Sequence, residues 1–522
     1  MPTMSTLSAR LDKALGNLPN AYPGPGGAVA VLREGEVLAR HAWGWANAER
    51  RIPFTPGTLF RMCSVTKQFT CGLALKMFPD SSMLDGDIRA RLPNLVGPVP
   101  ATLNLCHNQS GLRDYYALAM LHGSPAEAPF GDTEAARVIG AARTLQFAPG
   151  TSYSYSNGNF RIVSDVLQAR AGRSFAELLR EQVFGPAGMV TATLVADTRA
   201  MPDGTEGYEG SPETGFRPAE NRVLWTGDAG LAASLDDMIA WERHIDSTRG
   251  DSDALYNRLS APVQFADGTP AEYGFGLDRK TELHVAVTGH GGALRGWRCH
   301  RLHVASERVS VVVLFNHLSD AHEAAVDLLA AALGAERETR DAMLPAPSWL
   351  GSYLDDDTGL AARIDASAPG QVRLRYGYPA GQLDLQLDGT ARGAGATLRP
   401  GDGGVWMDRP AENRSVLLRP CAGASVVDGV AARYRCDELA SELTLVDAGG
   451  VLSGAFSGFL GQGRMEPLEP VGPDLWLMPC RRAIDHTPPG DWTIAVERDR
   501  AGRVAGVRVG CWLARKLVYV RL

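Results

Sequence analysis

The sequence predicts an α+β domain followed by two small antiparallel β-barrels. Apolar runs at residues 28–32 and 37–43 flank Glu34 and Gly35, a pattern typical of a β-hairpin. Apolar residues with helical spacing follow at residues 65–78, and a hairpin that leads into a helix favours a layered α+β architecture. Beyond Gly334 the helical periodicity gives way to short alternating runs, which indicates barrels.

The chain of 522 residues is longer than one ordinary domain, and its composition divides it. Residues 1–334 make up the predicted α+β domain, and an apolar helix at 324–333 closes it. Residues 335–347 are charged and contain proline, as linkers do. The first barrel is predicted at 348–420 and the second at 421–522.

The remaining elements follow from local patterns in chain order. An amphipathic helix at 7–18 precedes the hairpin. Later elements of the first domain are a helix at 160–171 and strands at 273–277, 290–293 and 309–315. The barrel strands are predicted at 372–376, 383–387, 415–419, 443–446, 475–478, 493–496, 504–509 and 516–522. Both barrel segments open on a tyrosine followed by acidic residues, Tyr353 and Tyr434, which indicates a weak internal duplication.

Charge and cysteine content exclude several classes of protein. A net charge of −7 argues against a nucleic-acid-binding surface. The first residues lack a basic segment followed by an apolar stretch, and no apolar run reaches membrane-spanning length, so neither secretion nor membrane insertion is expected. Eight cysteines without a Cys-x-x-Cys pair are typical of reduced thiols, which predicts a cytoplasmic protein.

Ser64 and Lys67 form the pattern that best indicates chemistry. A serine hydroxyl is a poor nucleophile at neutral pH and needs a base beside it. If a helix begins near Ser64, residues i and i+3 share a face, and the lysine amine lies next to the hydroxyl at a helix end whose free N–H groups can bind an oxyanion. A serine helix cap followed by a solvated lysine would give the same pattern.

Two further segments carry polar side chains next to predicted elements. Tyr155 and Asn157 directly precede a helix, where a core tyrosine and a capping asparagine are the alternative to a functional role. The strand at 290–293 contains His290, Gly291, Gly292 and Ala293. Its glycines would let a substrate backbone approach closely, as an added edge strand would.

Taken together, these motifs resemble the serine β-lactamase and penicillin-binding-protein superfamily, in particular its class C and D-aminopeptidase/DD-carboxypeptidase branch. Ser64-Val-Thr-Lys67 matches the nucleophile motif, Tyr155-Ser-Asn157 the second motif, and His290-Gly-Gly292 stands where many relatives carry Lys-Thr-Gly. The resemblance covers about the first 330 residues, and it implies a β-lactamase-like catalytic domain, an antiparallel sheet flanked by helices. The complete layout, with two barrels behind this domain, is similar to that of D-aminopeptidases.

The resemblance implies an acyl-enzyme mechanism without a metal or cofactor. Ser64 would be the nucleophile, Lys67 its base and Tyr155 a second proton carrier. Asn157 would hold the substrate amide, and the backbone N–H groups of Ser64 and Ala293 would form the oxyanion hole.

His290 departs from the usual pattern in an informative way. Where Lys-Thr-Gly relatives place a permanent cation for a substrate carboxylate, this chain has an imidazole that is largely neutral at pH 7. A carboxylate is therefore a poorer anchor, and an aminopeptidase instead needs an acid near the substrate ammonium. Residues 481–491 form a loop that is long for a barrel hairpin, and we hypothesise that Asp485 or His486 defines the amine end. A solvated loop tip is the alternative.

Together with the motifs, the resemblance implies a serine hydrolase that removes a small N-terminal D-residue, typically D-alanine, from peptides, amides and esters. Its expected partners are these substrates and, by resemblance, a second copy in a homodimer. A promiscuous esterase or weak β-lactamase or DD-peptidase is the alternative among enzymes. A non-catalytic binder of peptidoglycan fragments is the alternative outside them, although Ser64, Lys67 and Tyr155 are all retained.

Overall fold

The protein consists of an α+β domain, a closed β-barrel and an open, barrel-like sheet. The structure is a computed structural model that describes residues 4–336, 344–377, 379–393, 395–421, 423–485 and 488–522. Most of the predicted linker 335–347, and also His486, lie outside the described residues.

An eight-stranded antiparallel sheet is the centre of the first domain, in the order β11-β12-β13-β14-β15-β1-β2-β3. The strands of this domain are β1 Gly26–Arg33, β2 Glu36–Asn47, β3 Ile52–Pro53, β4 Phe60–Arg61, β5 Thr193–Leu194, β6 Tyr208–Ser211, β7 Gly215–Pro218, β8 Leu231–Ala233, β9 Val263–Gln264, β10 Pro270–Ala271, β11 Tyr273–Gly274, β12 Leu277–Glu282, β13 Val285–Leu294, β14 Trp297–Val304 and β15 Val309–Phe315. The predicted β1–β2 hairpin is confirmed, and its turn residues Glu34 and Gly35 have φ of 56° and 77°, which suits a tight hairpin turn.

Helices cover both faces of this sheet. They are α1 Met4–Ala21, α2 Thr66–Met77, α3 Asp85–Arg91, α4 Thr102–Cys106, α5 Tyr115–Leu121, α6 Asp132–Gly140, α7 Asn157–Ala171, α8 Phe175–Leu179, α9 Leu235–Thr248, α10 Leu255–Leu259 and α11 Ala321–Leu333. Every residue of β15 is buried, because alternate side chains such as Val311 and Val312 pack into the cores on opposite faces. Among the described helices, none is both long and apolar enough to cross a bilayer.

Helix α2 lies in the interior and not at the surface. Its residues 66–75 are all buried, so the apolar stripe seen in the sequence underestimates how completely the helix is enclosed. Polar side chains such as Lys67 and Gln68 are therefore buried as well, and their presence in the core indicates a role other than packing.

The two barrel-like bodies follow in sequence. The first is a closed barrel of β16 Gly351–Asp355, β17 Leu360–Ala366, β18 Gln371–Arg375, β19 Gly381–Leu385, β20 Ala391–Gly393, β21 Ala396–Gly401, β22 Gly404–Arg409 and β23 Arg414–Pro420. The second is an open, half-barrel sheet of β24 Ala432–Cys436, β25 Ser441–Ala448, β26 Val451–Gly458, β27 Gly461–Gln462, β28 Glu466–Pro467, β29 Glu469–Gly472, β30 Leu475–Met478, β31 Trp492–Arg498, β32 Val504–Cys511 and β33 Ala514–Arg521. The predicted fold class is confirmed, and the second of the two predicted barrels is a half-barrel whose sheet is open.

The opening strand of each body contains a tyrosine that makes the same kind of hydrogen bond. The hydroxyl of Tyr353 donates to Trp349 O at 2.6 Å, and the hydroxyl of Tyr434 donates to Val430 O at 2.5 Å. In each case a tyrosine bonds to the carbonyl four residues earlier, which supports the duplication inferred from the sequence.

A buried ion pair joins the central sheet to helix α9. Arg301 lies on β14 and contacts Glu242 at 2.5 and 3.0 Å, and both side chains are fully buried. Removing one partner of such a pair leaves an uncompensated charge in the core.

We therefore expect Glu242→Gln to lower the free energy of unfolding by about 3–5 kcal/mol, because the Arg301 cation loses its counter-charge. Urea denaturation followed by circular dichroism measures this change. The matched control is Asp236→Asn, which breaks the Arg40–Asp236 pair of 2.7 Å whose side chains are 47% and 45% exposed. Its cost should stay below about 1 kcal/mol, and equal costs for the two variants would contradict the prediction.

Candidate active site

Ser64 lies in a sharp turn that begins the buried helix α2. Residues Cys63–Val65 form one turn of 3₁₀ helix. Cys63 has a φ of 49°, a backbone angle that residues other than glycine seldom adopt. Such backbone geometry is common at active sites, where surrounding contacts hold it. Ser64 is half-buried, whereas its neighbours Cys63 and Val65 are fully buried. The turn therefore presents the serine hydroxyl alone to the adjoining cleft.

Lys67 is fully buried one turn later and contacts the serine. Its Nζ lies 3.0 Å from Ser64 Oγ and donates to Asn157 Oδ1 at 2.8 Å and to Asp228 O at 2.7 Å. Burial lowers the pKa of Lys67 to about 8, although the carboxylates of Asp228 and Asp114 partly oppose the shift. Near neutral pH a fraction of the lysine is thus uncharged and able to accept a proton from the hydroxyl.

Tyr155 contacts the same oxygen. Its hydroxyl donates to Ser64 Oγ at 2.8 Å, and Lys67 Nζ lies 4.9 Å from the centre of its ring. Burial raises the pKa of Tyr155 well above its usual range, while the bond to Ser64 acts in the opposite direction. The tyrosine therefore rests as a neutral proton donor.

A buried carboxyl group holds Asn157 in place. Asp114 accepts hydrogen bonds from the backbone N and the Nδ2 of Asn157 at 2.5 and 3.0 Å. Burial raises the pKa of Asp114 to about 6, against the effect of these backbone bonds. Asn157 is the first residue of α7, but its side chain points to Lys67 and Asp114, and Ser156 occupies the capping position.

Strand β13 forms the wall opposite Tyr155. Gly292 packs so tightly on the Ser64 turn that a Cβ would lie 2.7 Å from Met62 O and 2.4 Å from Cys299 Sγ, so only glycine fits here. Within the described sheet, β12 pairs with β13 from Val285 to Gly289, and the residues from His290 onward pair with β14 alone. The second edge of this stretch is therefore open to an extended substrate.

His290 is enclosed beside this open edge. Its Nε2 lies 3.2 Å from the Tyr273 hydroxyl and its Nδ1 lies 2.5 Å from Gly291 O. Burial lowers the pKa of His290, so the imidazole is neutral near pH 7.

The loop that begins at Arg481 reaches this cleft. Asp485, Pro488 and Pro489 line the same cavity of about 810 Å³ as Ser64, together with Tyr155, Asn157, His290, Gly291, Gly292 and Ala293. The Asp485 carboxylate is buried and accepts a bond from the backbone N of Arg295 at 3.0 Å. The predicted site residues that the structure describes therefore line one cavity, except Lys67, which is fully buried and contacts Ser64 Oγ at 3.0 Å. Their roles remain predictions.

An ion cluster ties this loop to the catalytic domain. The fully buried Arg295 donates to Ala483 O at 2.6 Å and to Glu127 at 2.8 Å. Arg482 of the loop binds Glu127 and, at 3.1 Å, Glu209. These bonds fix Asp485 at the end of β13.

Sequence reasoning missed Asp114, Asp228 and the β32–β33 turn. Trp512 and Leu513 of that turn line the cavity, and Leu513 O accepts a hydrogen bond from the backbone N of Asp114 at 3.0 Å. Asp114 precedes the apolar helix α5 and bonds to its first amides, a helix-cap pattern that the sequence does contain. Its contact with Leu513, near the end of the chain, cannot be predicted from the sequence around Asp114.

Cys63 is not an alternative nucleophile. The thiol is fully buried and its Sγ contacts Arg61 O at 3.1 Å. Burial raises the pKa of Cys63 well above its usual range, which disfavours the reactive thiolate.

Comparisons with known proteins show the family and the fold of the chain. The family described as Beta-lactamase matches residues 11–336, and D-aminopeptidase, domain B, matches residues 342–520. The octameric penicillin-binding protein homologue from Pyrococcus abyssi shares the fold at a TM-score of 0.54 and 19% identity, over 79% of this chain and 99% of that one. SurE shares it at a TM-score of 0.54 and 21% identity, over 80% of this chain and all of the other.

Similarity to curated relatives extends over almost the entire chain. A D-aminopeptidase of Gluconobacter oxydans is 58% identical over 99% of both chains. D-aminopeptidases of Brucella melitensis and Cereibacter sphaeroides are each 46% identical, over 97% and 98% of this chain and 97% and 99% of theirs. The family and enzyme class predicted from the motifs are thereby confirmed, and the chain belongs to the D-aminopeptidase family of β-lactamase-fold serine hydrolases.

Proposed function

We propose that this D-aminopeptidase-family protein removes a small N-terminal D-residue, typically D-alanine, through an acyl-enzyme on Ser64. The contact of Ser64 Oγ with both Lys67 and Tyr155 is the observation that carries the proposal. Two proton-carrying groups on one hydroxyl are what an acyl transfer to and from serine requires.

The reaction has two halves. In the first, Ser64 Oγ attacks the carbonyl carbon next to the substrate amine while its proton passes to Lys67, and the backbone N–H groups of Ser64 and Ala293 bind the oxyanion. The carbon–nitrogen bond then breaks as the nitrogen of the leaving group receives a proton through Tyr155. In the second half, water attacks the ester, one of its protons returns to Ser64 through the same groups, and the free D-amino acid leaves.

The polarity of the cleft supports an aminopeptidase. The neutral His290 offers little attraction to a substrate carboxylate, whereas the Asp485 carboxylate lies at the Arg295 end of the open strand. We propose that Asp485 binds the substrate ammonium and that Asn157 holds the amide being cleaved.

Location and assembly belong to the same proposal. The eight cysteines lie in the described residues as free thiols, most of them buried, which supports a reducing cytoplasmic environment. The proposed homodimer has the family resemblance as its support.

We expect the protein to hydrolyse D-alanine p-nitroanilide at least about 100-fold faster than the L-isomer, since an amine held at Asp485 and a carbonyl held at the oxyanion N–H groups leave one direction for the side chain. Ser64→Ala should lower kcat by a factor on the order of 10³ or more, because the nucleophile is lost. Initial rates measure both, and an unchanged thermal midpoint shows that the variant is folded. Undiminished turnover by Ser64→Ala would refute the nucleophile assignment.

The pH profile tests the role of Lys67. The base must be neutral, so kcat/KM should rise with pH through an apparent pKa near 8. The Asp114 carboxylate stabilises the Lys67 ammonium, so Asp114→Asn should lower the pKa of Lys67. The rising limb of the plot of kcat/KM against pH should then move to lower pH by about 0.5–1 unit. The exposed Asp253→Asn is the control and should leave the limb in place. A limb that moves upward in Asp114→Asn would contradict the assignment.

The amine site is tested by Asp485→Asn, which keeps an oxygen for the Arg295 N–H but removes the charge. For D-alanine p-nitroanilide, kcat/KM should fall by about 10–100-fold, the cost of an ammonium without its partner. For p-nitrophenyl propionate, which has the same acyl chain without the amine, the change should be below about 3-fold. Asp437→Asn, at a side chain 83% exposed, is the matched control. An equal loss on both substrates would exclude ammonium binding at Asp485.

A further inference from the structure

A second cavity adjoins the active-site cleft. Its volume is about 1310 Å³, and it separates the β12–β13 edge of the catalytic domain from the closed barrel. Four residues line both this cavity and the cleft that contains Ser64: Asp278, Lys280, His322 and Trp512. These four residues therefore lie at the boundary between the two spaces, and we call them the partition.

The position of the partition along β13 determines which part of a bound substrate lies next to the partition. Asp485 bonds to Arg295, just beyond the end of β13, whereas Asp278 pairs with Gly289. Six residues of extended chain span about 20 Å. Gly292, which packs on the Ser64 turn, lies between the two ends. A substrate with its amine at Asp485 and its carbonyl at Ser64 therefore directs its leaving group toward the partition.

Trp512 is the largest member of the partition and is held from several sides. Its indole Nε1 donates to Glu412 Oε1 at 2.7 Å. The Arg409 guanidinium lies 6.0 Å from the centre of its ring, and a Cβ on Gly377 would lie 3.4 Å from it. Glu412, Arg409 and Gly377 all belong to the closed barrel. Because contacts with another domain fix the indole ring, it cannot rotate out of the boundary between the two cavities without breaking them.

We propose that Trp512 is a specificity-determining residue that limits the length of the leaving group, and that the second cavity is the space from which it excludes longer peptides. The inference rests on the proposed aminopeptidase function and adds an upper limit to the length of the peptide that is cleaved. The cavity behind the ring is lined by aromatic and charged side chains, including Tyr153, Tyr273 and Arg308, which suit a peptide backbone. Shortening the ring would join the two spaces.

The test compares kcat/KM for tetra-D-alanine and di-D-alanine as a ratio. Trp512→Ala should raise this ratio about tenfold or more, because the longer peptide gains room that the shorter one does not use. Trp512→Phe retains a ring of similar depth but loses the bond to Glu412, and should leave the ratio within about twofold. Trp406→Ala is the matched control, since Trp406 lies in the closed barrel, where Arg399 stacks on it at 5.1 Å, and lines neither cavity.

An unchanged ratio in a folded Trp512→Ala protein would overturn the inference. If that variant does not fold, Lys280→Ala removes another part of the partition at little cost, since Lys280 is 48% exposed and lies 3.7 Å from Asp278. A rise of about threefold in its ratio supports the inference, and no rise overturns it. A wild-type protein that cleaves di- and tetra-D-alanine equally well contradicts the boundary alone, whereas one that cleaves no D-alanine substrate contradicts the proposed function as well.

Discussion

The burial of Lys67 beside Ser64 is the constraint on which the site depends. An ammonium in the core is costly, and the structure relieves the cost in two ways, by supplying the oxygens of Asn157 and Asp228 and by lowering the pKa to about 8. The same desolvation that makes the lysine expensive to keep charged makes it a usable base. Helix α2 must therefore be enclosed on all sides, and the surrounding polar groups serve to hold this one amine.

The C-terminal bodies complete this enclosure. Leu513 O accepts from the backbone N of Asp114, which in turn holds Asn157 against Lys67. The loop with Asp485 is tied to Arg295 at the end of β13. Residues from the end of the chain thus reach the proton carriers at one side and the proposed amine site at the other. The half-barrel therefore lines the candidate active site.

Much of this could be predicted from local sequence, and the remainder could not for physical reasons. The Ser64–Lys67 contact follows from helical spacing, and the β1–β2 hairpin follows from Glu34 and Gly35, because both are set by neighbours in the chain. The contacts of Asp114 with Leu513 and of Trp512 with Glu412 join residues far apart in sequence, so no local pattern encodes them. Barrel closure is equally non-local. The strands of the second body read like those of the first, yet its sheet remains open.

Charge polarity explains how this scaffold can serve an aminopeptidase. A permanent cation at position 290 would attract a carboxylate at the His290 end of the open strand, which is what a carboxypeptidase needs. Here burial keeps His290 neutral, and the acid in the proposed function is Asp485, which comes from another domain and bonds to Arg295 just beyond β13. A cation at position 290 would select the carboxylate end of a peptide, whereas an acid on the other side of Ser64 would select the amine end. Ser64, Lys67 and Tyr155 are the same in both cases. In the proposed function, an acid supplied by a separate body thus sets which end of a peptide is bound, while Ser64, Lys67 and Tyr155 all belong to the catalytic domain.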